Sequence, residues 1–90
     1  MEILEKLLTS DIGKEKPDVL SLYFLYAKTA DPDEYGRQLS DIKVDGAAEV
    51  LEISPHRIRK AKKVLFEYGL IQQVSMKNEE NIIHHYIEVL

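Results

Sequence analysis

The chain has 90 residues, no cysteine, and 12 Lys/Arg against 16 Asp/Glu, for a formal net charge of -4. That length holds one small core, so residues 1–90 are read as one domain; the missing cysteines exclude disulfides and thiolate metal sites. No apolar run reaches the roughly 18 residues of a membrane span and no charged-then-apolar leader opens the chain, so a cytoplasmic location with no membrane partner is expected.

The charge is unevenly distributed. Residues 1–53 carry six Lys/Arg against twelve Asp/Glu, a balance of -6, whereas residues 54–90 carry six against four, a balance of +2. The acidic total is unlike a nucleic-acid binder. Phosphate contact depends on the field at one face rather than on the sum, however, and the basic residues are concentrated.

Residues 1–9 place Ile3, Leu4, Leu7 and Leu8 on one side of a short amphipathic helix, whose stripe must dock on its own domain or on a second subunit. Residues 10–16 read as a loop. A strongly apolar helix is expected over 18–30, with Val19, Leu22, Tyr23, Tyr26 and Ala30 on one face and Phe24 and Leu25 toward the other. A helix apolar nearly all round is covered on more than one side. Asp31-Pro32 ends it, because the residue before proline resists the helical region. Residues 34–40 read equally as a loop or as one helical turn. Residues 42–44 alternate with β-branched ends and suit a short strand, after which Asp45 can cap a helix carrying Ala47, Ala48, Val50, Leu51 and Ile53.

Next comes the most marked stretch of the chain. Ser54 is an N-cap residue, Pro55 suits the first helical position, and Gly69 suits the left-handed closure of a helix. Between them Arg57, Arg59, Lys60, Lys62 and Lys63 lie within seven residues. On a helical wheel Ile58, Ala61, Leu65 and Tyr68 face one way and His56, Arg59, Lys60 and Lys63 the other, with Arg57 and Lys62 on the flanks. Two strands follow, 70–76 and 82–90, joined by a polar turn at 77–81 into an antiparallel hairpin.

The order of these elements resembles the winged helix-turn-helix family. The resemblance rests on Ala47-Ala48-Glu49-Val50-Leu51-Glu52-Ile53-Ser54, then Ile58-Arg59-Lys60-Ala61, Leu65 and Gly69-Leu70-Ile71, and with the flanking elements covers residues 17–90. It is similar to small prokaryotic, phage or plasmid regulators and to the N-terminal domains of replication initiators. The fold so implied is α+β, mainly α: a winged helix-turn-helix with a C-terminal hairpin and an extra N-terminal helix. The function implied is sequence-specific binding of double-stranded DNA, with the basic helix in the major groove, in a transcriptional regulator. Arginine can present paired donors to guanine, while lysine serves as a phosphate counter-charge. Arg57 and Arg59 are therefore expected at base edges, Lys60 and Lys63 at phosphates or bases, and Ser54 and His56 near the helix start.

The chain departs from the family pattern at four places, one of them Glu67, which lies close to the cationic face. Glu52 stands where glycine is usual, Lys62 stands where leucine is usual, so that Val64 or Phe66 must complete the core, and Glu79 and Glu80 leave the hairpin tip poorly charged for phosphates. A small cationic face implies a homodimer on a two-fold site. Ile3, Leu4, Leu7, Leu8, Phe24 and Leu25 are the expected dimer residues. A winged helix used as a protein–protein or replication-assembly module is the rival reading.

His84 and His85 are adjacent in a strand and point to opposite faces, so they do not suit one metal ion, and His85 is expected to be packed or interfacial. No catalytic set, phosphate loop, cofactor motif or small-molecule signature appears, and neither catalysis nor a cofactor is expected.

Overall fold

A computed structural model describes residues 16–90 of the chain. The segment holding Ile3, Leu4, Leu7 and Leu8, expected to be helical and to pair subunits, lies outside the described residues. In chain order the elements are α1 (Lys16–Thr29), β1 (Asp31–Pro32), β2 (Gln38–Ser40), α2 (Val44–Leu51), α3 (Pro55–Glu67), β3 (Ile71–Lys77) and β4 (Ile83–Val89). The strands form one antiparallel sheet in the order β1-β2-β4-β3. Among the described residues this is a small α+β arrangement of three helices and a four-stranded antiparallel sheet, compatible with a winged-helix-like layout.

The helix α1 is described from Lys16, the first of the described residues, to Thr29, with Pro17 near its start, where no N–H is needed. Its buried residues are Asp18, Val19, Leu22, Leu25 and Tyr26. Leu25, expected on an outer dimer face, is instead core, only 9% exposed, while Phe24 stays 56% exposed. A helix apolar on nearly every side has no strong gradient to fix its rotation, and packing on α3 turns the Leu25 edge inward. At the end of α1, Thr29 Oγ1 donates to Leu25 O at 2.7 Å and lies 2.7 Å from Ser40 Oγ, which ties the helix to β2.

The undecided stretch 34–40 resolves into a turn and a strand. Asp33 Oδ1 accepts from the backbone N–H of Tyr35 at 2.9 Å and of Arg37 at 2.8 Å, and Arg37 Nε donates to Asp33 Oδ2 at 2.6 Å. Burial raises the Asp33 pKa, but the hydrogen bonds and charge of Arg37 and the bond from Tyr35 outweigh it and hold the carboxyl below its ordinary value. Residues 42–44 are not a strand. Pairing with β4 occurs earlier, Gln38 opposite Val89 and Ser40 opposite Ile87. The buried Ser40 then accepts the Ile42 N–H at 3.4 Å, which takes the chain out of the sheet and into α2. Nor does Asp45 cap α2: Lys43 holds the N-cap position without a side-chain cap bond, and Asp45 lies in the first turn, where a carboxylate suits the helix dipole.

Between α2 and α3 the chain turns through Glu52, which takes the left-handed conformation, φ 56° and ψ 40°, while Ile53 N–H reaches back to Ala48 O at 3.2 Å. The helix α3 starts as expected: Ser54 accepts from Arg57 N–H at 3.2 Å and Pro55 occupies the first turn. It closes through Gly69 at φ 69°, with Gly69 N–H to Phe66 O at 3.1 Å and Leu70 N–H to Leu65 O at 3.0 Å. That paired closure is a Schellman motif, and glycine carries its left-handed residue without a Cβ penalty.

The core joins Val19, Leu22, Leu25 and Tyr26 of α1 to Ala47 of α2, Ile58, Ala61 and Leu65 of α3, and Leu70, Ile71 and Ile87. Ile58 and Leu65 are 0% exposed, and each such burial is worth about 1.5–3 kcal/mol. Val64 helps complete the core as a partly buried neighbour, whereas Phe66 stays 36% exposed. The hairpin runs in register from Ile71 opposite Val89 to Lys77 opposite Ile83. Its tip is held by Asn78, whose Oδ1 accepts from Glu80 and Ile82 N–H at 2.9 and 3.0 Å.

Candidate nucleic-acid interface

The basic helix has two faces fixed by different forces. Burial of Ile58, Ala61 and Leu65 anchors one face, and an average repeat of 3.6 residues then turns His56, Arg59, Lys60 and Lys63 outward together. All four are exposed. Arg59 and Lys63 form no ion pair among the described residues. Ser54, also exposed, spends its hydroxyl on the cap and so fixes where the helix begins.

Arg57 departs from the expected role. Its Nε and Nη2 donate to Asp18 Oδ2 and Oδ1 at 2.8 and 2.6 Å, a two-bond fork that joins the first turn of α3 to the first turn of α1. The Asp18 side chain is 11% exposed and that of Arg57 53%, so the carboxylate sits within the fold with the guanidinium over it. Hydrogen bonding to Asp18 raises the Arg57 pKa further. The fork commits Nε and Nη2 to the carboxylate and holds that edge of the guanidinium against α1. Arg57 is therefore a brace within the fold, and the exposed cationic stripe is His56, Arg59, Lys60 and Lys63.

Lys62, on the other flank, is partly buried. Burial, and then the charge of Lys43, lower its pKa. Its Nζ lies 6.0 Å from the Phe66 ring centroid. Lys62, Lys43 and Arg59 converge on a cleft of ≈ 410 Å³ between the start of α2, α3 and the hairpin. Ile42, Val44 and Ile87 supply its apolar walls, and Asp45 is the one carboxylate on its lining. Lys43 Nζ donates to His85 O at 3.1 Å, which spans from α2 to β4. His85 is exposed rather than packed, its Nδ1 lying 2.9 Å from Ser75 Oγ and 3.3 Å from Gln73 Nε2. His84 lies near Asn78 and Tyr86 instead, as expected of neighbours on opposite strand faces.

Sequence reasoning missed the cleft and the Asp18–Arg57 fork. Both join residues far apart in the chain: Asp18 and Arg57 are separated by 39 positions, and Lys43 and His85 by 42. Asp18 had one local signal, a carboxylate in the first turn of an apolar helix, but nothing that named its partner. Among the described residues no group of three or more His, Cys, Asp or Glu is placed to hold a metal ion, and no helix is long and apolar enough to cross a membrane. In comparison with known proteins, the chain matches no family model, no curated protein and no solved structure.

Proposed function

We propose that this protein binds double-stranded DNA sequence-specifically, with α3 as a recognition helix in the major groove of a winged helix-turn-helix, and that it acts as a cytoplasmic transcriptional regulator. The observation that carries this reading is the pair of opposed faces on α3: three fully buried apolar side chains on one, four exposed basic or imidazole side chains on the other. A helix held only by its inner face can enter a groove roughly 12 Å wide without leaving its core. Arg59 is the candidate for a guanine edge, and Lys60 and Lys63 for phosphates, with His56 nearest the helix start.

The stripe from His56 to Lys63 rises about 10 Å along the helix at 1.5 Å per residue, the length of roughly three base pairs. So short a footprint, with Glu52 and Glu67 close by, favours two copies on a two-fold site. The exposed Phe24 is the surviving candidate for the dimer contact among the described residues.

Fluorescence anisotropy with duplex DNA across a salt series tests the reading. Affinity should fall with log salt at a slope of about -0.9 per neutralised phosphate. Lys63→Ala should weaken binding to all sequences and flatten that slope by about one, while Arg59→Ala should weaken the preferred sequence most. Absent binding at low salt, or a flat slope, removes the DNA reading and favours a protein-interaction module.

A further inference from the structure

The geometry points to a second ligand site: the cleft between α2, α3 and the hairpin is a pocket for a small amphipathic organic anion, a phosphate or carboxylate on an apolar body. The inference does not rest on DNA binding by the outer face of α3, although Arg59 lines the cleft and also belongs to that face. It rests on the cleft's shape, its charge and its two kinds of wall.

Its volume, ≈ 410 Å³, falls in the roughly 300–1,000 Å³ range of small-molecule sites. Lys43, Arg59 and Lys62 line it and only Asp45 opposes them, so the lining carries a net charge of +2 with His85 neutral. None of the three cations has an ion-pair partner among the described residues. Lys43 and Lys62 are close enough for the charge of one to disfavour protonation of the other, and Lys62 bears a burial penalty as well. Two like charges converging without an ion-pair partner repel each other, and an anion seated there relieves the repulsion and gains charge-assisted hydrogen bonds. Lys43 is already held at the rim by its bond to His85 O at 3.1 Å, so ordering it costs less on binding.

The rest of the lining argues against a bare ion. Ile42, Val44 and Ile87 supply apolar lining that inorganic phosphate would leave wet. A ligand with an apolar body covers it and gains from the area removed from water. Gln73 and Tyr86 border the same space, offering orienting contacts at the hairpin side. A sequence search for small-molecule signatures finds nothing here, because the lining is drawn from four separate elements and the chain before α2.

Amide NMR titration of the whole chain at pH 7 with three probes separates the contributions: phenyl phosphate, inorganic phosphate and phenol. Phenyl phosphate should shift the amides of Lys43, Val44, Asp45, Gln73 and Ile87, and should bind on the order of tenfold more tightly than either the bare ion or the neutral ring. Lys43→Gln, at an exposed position with no side-chain cap to lose, should weaken phenyl phosphate by on the order of tenfold while the chain stays folded, the lost bond to His85 O and the relieved repulsion with Lys62 acting on stability in opposite directions. Lys62→Met keeps the buried stem and should do the same. Three outcomes overturn the site: phenyl phosphate no tighter than inorganic phosphate, shifts confined to the outer face of α3, or affinity unchanged in both variants. Failure of DNA binding in the salt series leaves these outcomes unaltered, so the two readings fail separately.

Discussion

Replacing Glu52 with glycine should stabilise the protein, and the size of the gain follows from the turn between α2 and α3. Glu52 holds φ 56° and ψ 40°, where a Cβ crowds the following carbonyl at a cost of about 1–2 kcal/mol. Glycine pays no such cost but loses more backbone freedom on folding, by roughly 0.5–1 kcal/mol. The difference leaves a gain of about 0.5–1 kcal/mol. The carboxylate also sits at the negative end of the α2 dipole, which adds a few tenths of a kcal/mol of repulsion that glycine removes. No side-chain hydrogen bond or ion pair of Glu52 is lost among the described residues. A gain near 1 kcal/mol corresponds to a rise in Tm of about 4–8 °C for a domain this size. Thermal unfolding by circular dichroism measures it. Glu52→Ala is the control, since it removes the charge and keeps the Cβ, and should gain little. If glycine is no more stable than alanine, the left-handed residue is not a source of strain and the argument is wrong.

The remaining predictions concern the interior. In a double-mutant cycle, Asp18→Asn and Arg57→Gln should be non-additive in urea unfolding, with a modest coupling because Arg57 is half exposed; additive effects would mean that the fork does not brace the fold. Tyr26 is 2% exposed, and burial pushes its phenol up to about 12. A folded pKa above the unfolded value of about 10 means that this contribution to stability is complete below pH 10 and is lost as pH rises toward 12. The absorbance titration at 295 nm should therefore hold a late component, centred near pH 12, that is missing in Tyr26→Phe; a titration unchanged by that substitution would show the phenol to be accessible.

The parts of the fold legible in the sequence were those whose causes are local. Ser54, Pro55 and Gly69 mark both ends of α3 within a few residues of the bonds they make, and the alternation of β3 and β4 is closed by a five-residue turn. The strand β2 was displaced because three residues carry too little pattern to fix a register. Its position is set by pairing with Ser40 opposite Ile87, far along the chain. Leu25 was placed on the wrong side of α1 for a related reason: the helix is apolar almost all round, so composition leaves its rotation open until α3 packs against it. The cationic stripe was legible because helical spacing alone sets it. The two flanks were not, since what Arg57 and Lys62 face depends on α1 in one case and on Lys43 and the hairpin in the other.

Those flanks change how the basic helix is to be understood. Five cations in seven residues read as a single charged patch, yet the fold assigns them to three directions. Arg57 turns back to Asp18, Lys62 turns into the cleft, Lys60 and Lys63 are left on the outer side, and Arg59 stands at the border of the two, exposed yet lining the cleft. The division lowers the charge available to a phosphate backbone, but it also fixes the helix that carries what remains. A recognition helix tied only by its apolar stripe can roll about its own axis, whereas a two-bond fork at its first turn resists that rotation. Binding then costs less in ordering, because the side chains that would read a groove project from a helix already set. Should α3 bind DNA as proposed, loss of Arg57 is expected to blur discrimination between DNA sequences more than it lowers affinity for DNA at large, as anisotropy with preferred and scrambled duplexes would measure.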